Sequence, residues 1–72
     1  MPKYCREKFE NTTTGKEVWV SWQQDKHVHD ATLITTIAQW LGTNQGGTWQ
    51  VRVNTYQSNQ SSPGLNDLSY PA

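Results

Sequence analysis

Residues 30–56 read DATLITTIAQWLGTNQGGTWQVRVNTY, and the hydrophobic period changes partway along them. In the first half Leu33, Ile34, Ile37, Trp40 and Leu41 recur at i, i+1, i+4, i+7 and i+8, one apolar stripe at helical spacing. Asp30 precedes the stripe as an N-cap whose carboxylate can accept from first-turn amides, and Gly42 follows it where a left-handed C-terminal cap belongs. The spacing predicts a helix over 31–41. Its threonines and isoleucines are poor helix formers, so packing rather than propensity must hold it. In the second half, beyond a loop at 43–47, Trp49, Val51, Val53 and Thr55 alternate with Thr48, Gln50, Arg52, Asn54 and Tyr56. That alternation predicts a strand over 48–56.

Outward toward the N-terminus, Glu17–Gln23 is rich in β-branched and aromatic residues, with Val18, Val20 and Trp22 on one side and Trp19 and Ser21 on the other. Before it, Lys3–Glu10 places Cys5 and Phe9 inward and Tyr4, Arg6, Lys8 and Glu10 outward. Glu7 on the inner side marks this as an edge strand. The turn chemistry of Asn11–Lys16 joins the two into a hairpin. Toward the C-terminus, 57–72 is polar, holds two prolines and a glycine, and shows no periodicity, which predicts a disordered tail.

The expected fold is therefore α+β: a single small β-β-α-β domain over 1–56, a three-stranded sheet with one helix packed on one face, and a flexible tail over 57–72. Val18, Val20, Trp22, Trp49, Val51 and Val53 would meet Leu33, Ile34, Ile37 and Leu41 in the core. The third strand can pair beside either strand of the hairpin; beside the first it would run parallel to that neighbour with a right-handed crossover.

Composition narrows the function. Six Lys and Arg balance six Asp and Glu, so neither the basic excess of a nucleic-acid binder nor the acidic excess of a mimic is present. Charged residues make up 17%, below the usual share of about 25%. Four tryptophans in 72 residues argue for a compact core and an adhesive surface. Cys5 is the one cysteine, so no intrachain disulfide forms, and a lone thiol points to a reducing compartment. With no apolar run of membrane-spanning length and no signal-like segment, a cytoplasmic location is expected.

No catalytic, metal or cofactor motif stands out. His27, His29 and Asp30 cluster but lack the third or fourth converging ligand a metal needs. Cys5 has no histidine placed beside it by sequence, and Gly46-Gly47 precedes a strand, whereas phosphate loops precede helices. The outward sheet face is more informative: Tyr4, Arg6, Lys8, Trp19, Arg52 and Tyr56 would share it, and Trp, Tyr and Arg dominate protein-binding hot spots. The expected function is a non-enzymatic protein-binding module acting through that open face or a sheet edge. Single-stranded nucleic-acid binding by the same aromatic and basic residues and a self-assembling structural subunit are the alternatives. The run Leu65–Tyr70 in the tail could also dock into a partner.

Size, neutrality, aromatic surface and polar tail give the chain the style of the small accessory proteins with which phages and other mobile elements block host machinery. On that likeness it would be an inhibitor of a host protein.

Overall fold

The first strand carries the plainest pleat: Cys5, Glu7, Phe9 and Asn11 are buried, while Tyr4, Arg6, Lys8 and Glu10 alternate with them half-buried. The computed structural model describes residues 1–72, in the order β1 (Tyr4–Asn11), β2 (Glu17–Gln23), α1 (Ala31–Gln45), β3 (Trp49–Val51), β4 (Gln57–Gln60) and β5 (Leu68–Ser69). All five strands join one mixed sheet, and α1 lies on one face of it. The class is α+β as expected, but the sheet has five strands rather than three.

Strand β1 is central, not an edge. It pairs antiparallel with β2 on one side and, on the other, with β3 at one end and β4 at the other end. Glu7 is tolerated inside because His29 reaches it, a partner that lies far along the chain. Strand β3 sits beside β1 but runs antiparallel to it, against the parallel expectation. The helix returns the chain to the starting end of β2, so the next strand repeats the direction of β2 and opposes β1.

Asp30 caps α1 as expected, its carboxylate accepting from the Leu33 amide at 2.8 Å. The helix does not stop at Gly42; it continues to Gln45 and is capped by Gly46 at φ 79°, whose N–H reaches the Gly42 carbonyl at 3.0 Å. A glycine inside a helix costs only about 1 kcal/mol, too little to end it when a second glycine follows one turn later. Gly42 is needed for space, since a Cβ there would come within 3.0 Å of the Gly47 carbonyl oxygen.

The third strand is three residues long instead of nine. A turn at Val53-Asn54 interrupts it, with Asn54 at φ 64°, a conformation asparagine tolerates better than most residues. Thr55 bridges the break: its hydroxyl accepts from the Lys8 amide at 3.0 Å and donates to the Arg52 carbonyl at 2.8 Å. From Val51 to Gln57 the chain advances six residues while β1 advances three, from Phe9 to Arg6. The three extra residues are an odd number, so the alternation flips. Tyr56 therefore lies on the helix face, and Val53, expected in the core, is 81% exposed.

The tail is ordered. Strand β4 continues the β3 edge, and β5 pairs parallel with β2, setting Leu68 beside Val20 and Ser69 beside Ser21. Leu68 and Tyr70 pack on the core, Tyr70 edge-on to Trp40 at 5.3 Å. The core itself is Cys5, Phe9, Val20, Trp22, Leu33, Ile37, Leu41 and Trp49, with Val18, Ile34 and Val51 half-buried around it. No helix is long and apolar enough to cross a membrane.

Candidate functional site

Because β1 and β2 pair with Lys8 opposite Trp19 and Arg6 opposite Ser21, these side chains share the sheet face away from α1. The Arg6 guanidinium lies 3.9 Å from the Trp19 ring centroid, and the Lys8 ammonium lies 5.4 Å from it, two cation–π contacts to one indole. Arg6 also forms a two-point pair with Asp67, Nε to Oδ2 and Nη2 to Oδ1, each at 2.8 Å. The same carboxylate accepts from the Ser21 hydroxyl and from the Gly64 amide at 3.2 Å.

Asp67 is the residue that sequence reasoning missed. Its side chain is 2% exposed and locks the tail over one end of the open face. Burial pushes its carboxyl up, but the hydrogen bonds from Arg6 and Ser21, the Arg6 charge and the Gly64 amide outweigh that and hold it below its ordinary value of 3.8. A signal was present: Leu68 and Tyr70 alternate with Asp67 and Ser69, a short strand pattern within the polar run.

The other end of the face is a charge lattice. Glu17 forms ion pairs with Lys8 at 3.5 Å and Arg52 at 3.2 Å, and Arg52 also donates to Glu10 at 3.3 Å. Of the six residues expected to share this face, Tyr4, Arg6, Lys8, Trp19 and Arg52 are on its side of the sheet. Tyr56 is not. Each of the three cations there has a carboxylate partner, so the face is nearly neutral as built.

Tyr56 belongs to a second cluster, under the helix side. Its ring stacks on His29 at 3.7 Å and lies near Trp22, and its hydroxyl meets the Cys5 thiol at 3.3 Å. The thiol donates to Gln24 at 3.3 Å, and Gln24 in turn holds Asn59 of β4 through two hydrogen bonds. His29 Nε2 lies 3.0 Å from Glu7, a hydrogen bond that becomes an ion pair when the imidazole is protonated. The thiol and the imidazole are thus engaged with different partners and form no hydrogen bond with each other. No three His, Cys, Asp or Glu side chains converge as a metal cage would require. The Trp22 Nε1 is the one buried side-chain polar atom without a partner.

Burial pushes the Tyr56 hydroxyl up to about 12, reinforced by the Cys5 hydrogen bond and the charges of Cys5 and Glu7, against a smaller opposing pull from Ser58. Because the folded value lies above the ordinary 10.0, its stabilising contribution is whole below pH 10 and is lost as pH rises toward 12. Thermal melts across pH 9–12 are expected to fall more steeply for the native chain than for Tyr56→Phe; parallel curves would remove Tyr56 as the cause.

The largest concavity lies elsewhere, a groove of about 630 Å³ between α1 and the outer edge of β3. Ile34, Ala38 and Gly42 form its helix wall, and Trp49 and Val51 form its floor. No known protein family, curated protein or solved structure matches this chain.

Proposed function

We propose that the protein is a non-catalytic binding module that docks another protein on the open sheet face around Trp19. The arrangement of that indole carries the reading: Arg6 and Lys8 both make cation–π contact with it, and carboxylates hold both cations in place. Side chains already fixed by ion pairs lose little rotamer freedom on binding, which favours a preformed contact surface. A tryptophan ringed by arginine and lysine is also the composition that concentrates energy in protein interfaces. A small neutral domain with such a face suits an inhibitor that caps a working surface of its target, here a host protein.

The pairing of charges separates this reading from single-stranded nucleic acid. Phosphate binding draws on cations free to release counterions, and Arg6, Lys8 and Arg52 each already have a carboxylate within 3.5 Å. A tagged pull-down from native lysate, run with and without nuclease, tests the distinction. Capture of a protein is expected to survive nuclease, and Trp19→Ala is expected to weaken that interaction by roughly 30-fold with the fold intact. Capture abolished by nuclease, or affinity falling steeply with salt, would transfer the face to nucleic acid.

A further inference from the structure

The sheet has two edges, and they are finished differently. At the β2 edge the chain covers itself: β5 pairs with β2, and the Tyr70 amide donates to the Ser21 carbonyl at 2.8 Å. At the other edge β3 is outermost and nothing covers it. The bonds from β3 toward β1 fall on alternate residues: Thr48 accepts from Thr12, Arg52 donates to Lys8, each at 2.8 Å, and Gln50 stands opposite Glu10. By that alternation the amides and carbonyls of Trp49 and Val51 point outward, unpaired.

Exposed edges are usually blunted by a lysine, a proline or an inward charge. Residues 48–51, Thr-Trp-Gln-Val, carry none of these. The adjoining groove has no ionisable side chain among its lining residues, and the whole of α1 lacks one, from Ala31 to Gln45. This uncharged strip matches itself: it needs no countercharge and repels no copy.

We propose that the β3 edge and its groove are the surface on which a second copy of this chain docks. Two β3 strands pair antiparallel about a twofold axis through Gln50, which opposes Trp49 of each copy to Val51 of the other. Both outward amides and both outward carbonyls of each strand are then satisfied. On the helix face the two grooves merge over a floor of alternating Trp49 and Val51; on the open face Gln50 meets Gln50 and Arg52 meets Thr48, with no like charges opposed. The small residues Ala38 and Gly42 leave room for the two helices to approach. Since the twofold pairing uses the same edge of both copies, the association closes at two and does not propagate.

The test is sedimentation of the full chain from micromolar to millimolar concentration. The weight-average mass is expected to rise from 8.2 kDa toward twice that and no further. The exposed change Thr35→Lys, which sets two ammonium groups across the seam, and the floor change Val51→Lys are each expected to keep the mass at that of one chain. Circular dichroism confirms that each variant is folded, and Thr35→Lys serves alone if Val51→Lys is not. Amide exchange at Trp49 and Val51 is expected to slow with concentration while that of exposed turn residues does not. A single-chain mass at every concentration overturns the proposal, as does association that Thr35→Lys leaves unchanged or that grows past two.

Discussion

Phe9→Ala is expected to leave a large fraction of the chain unfolded at room temperature, read as loss of the near-ultraviolet tryptophan signal and a collapsed denaturant midpoint. Phe9 is fully buried at the middle of β1, opposite Val18 on one side and Val51 on the other, so its ring ties the hairpin to the far edge. Emptying such a site costs about 3–5 kcal/mol. A chain of this length has a total stability of about 4–11 kcal/mol at the usual density per residue. The loss therefore matches the lower part of that range, where so short a chain is expected to fall. Phe9→Leu, which retains most of the volume, is expected to cost under about 1.5 kcal/mol and remain folded. Equal behaviour of the two variants would mean that the centre of the sheet repacks freely and that Phe9 does not organise it.

Asp67→Ala is expected to lower stability by about 3 kcal/mol, at the low end for a broken buried pair because Arg6 keeps some access to water. The substitution removes four interactions at once: two to Arg6, one to Ser21 and one to the Gly64 amide. The tail should then detach locally, with faster amide exchange at Leu68 and Tyr70 and protease cleavage between Ser61 and Asn66, while β1, β2 and α1 stay protected. Acid should mimic the mutation. The carboxyl is held below its ordinary value, so its contribution is whole above the normal carboxylate range and fades as pH falls below about 4. Melts of Asp67→Asn should lack that part of the acid slope. A loss under about 1 kcal/mol with the tail amides still protected would show that the parallel strand, not the carboxylate, holds the segment.

How much of this was legible in the sequence depends on how far apart the interacting residues lie. The helix, its Asp30 cap and the hairpin were readable because period and turn chemistry are local signals. Core positions at Val20, Trp22, Leu33, Ile37, Leu41 and Trp49 followed from them. The break at Asn54 was not readable: an alternating run looks the same whether or not a side chain such as Thr55 later replaces one backbone partner. Missing it sent Tyr56 to the wrong face and Val53 to the core. The tail was misread because low hydropathy is a statement about average composition, and two apolar residues, Leu68 on the parallel strand and Tyr70 just after it, suffice to order it when one buried carboxylate anchors them. The candidate face fared better, with five of its six residues on one side of the sheet, because strand parity within the hairpin and in Trp49–Val51 was right.

Strand β1 draws its neighbours from the whole length of the polypeptide, and Arg6 finds Asp67 sixty-one positions away. During synthesis this central strand emerges early and must wait, its flank unpaired, until β3, β4 and finally Asp67 have been made. Closing such distant contacts requires a large loss of chain entropy before they are rewarded, so the protein should fold slowly for its size, and its sheet is complete only after Leu68 has left the ribosome. A nascent chain halted short of that point would present the uncovered edge of β2 to whatever surrounds it.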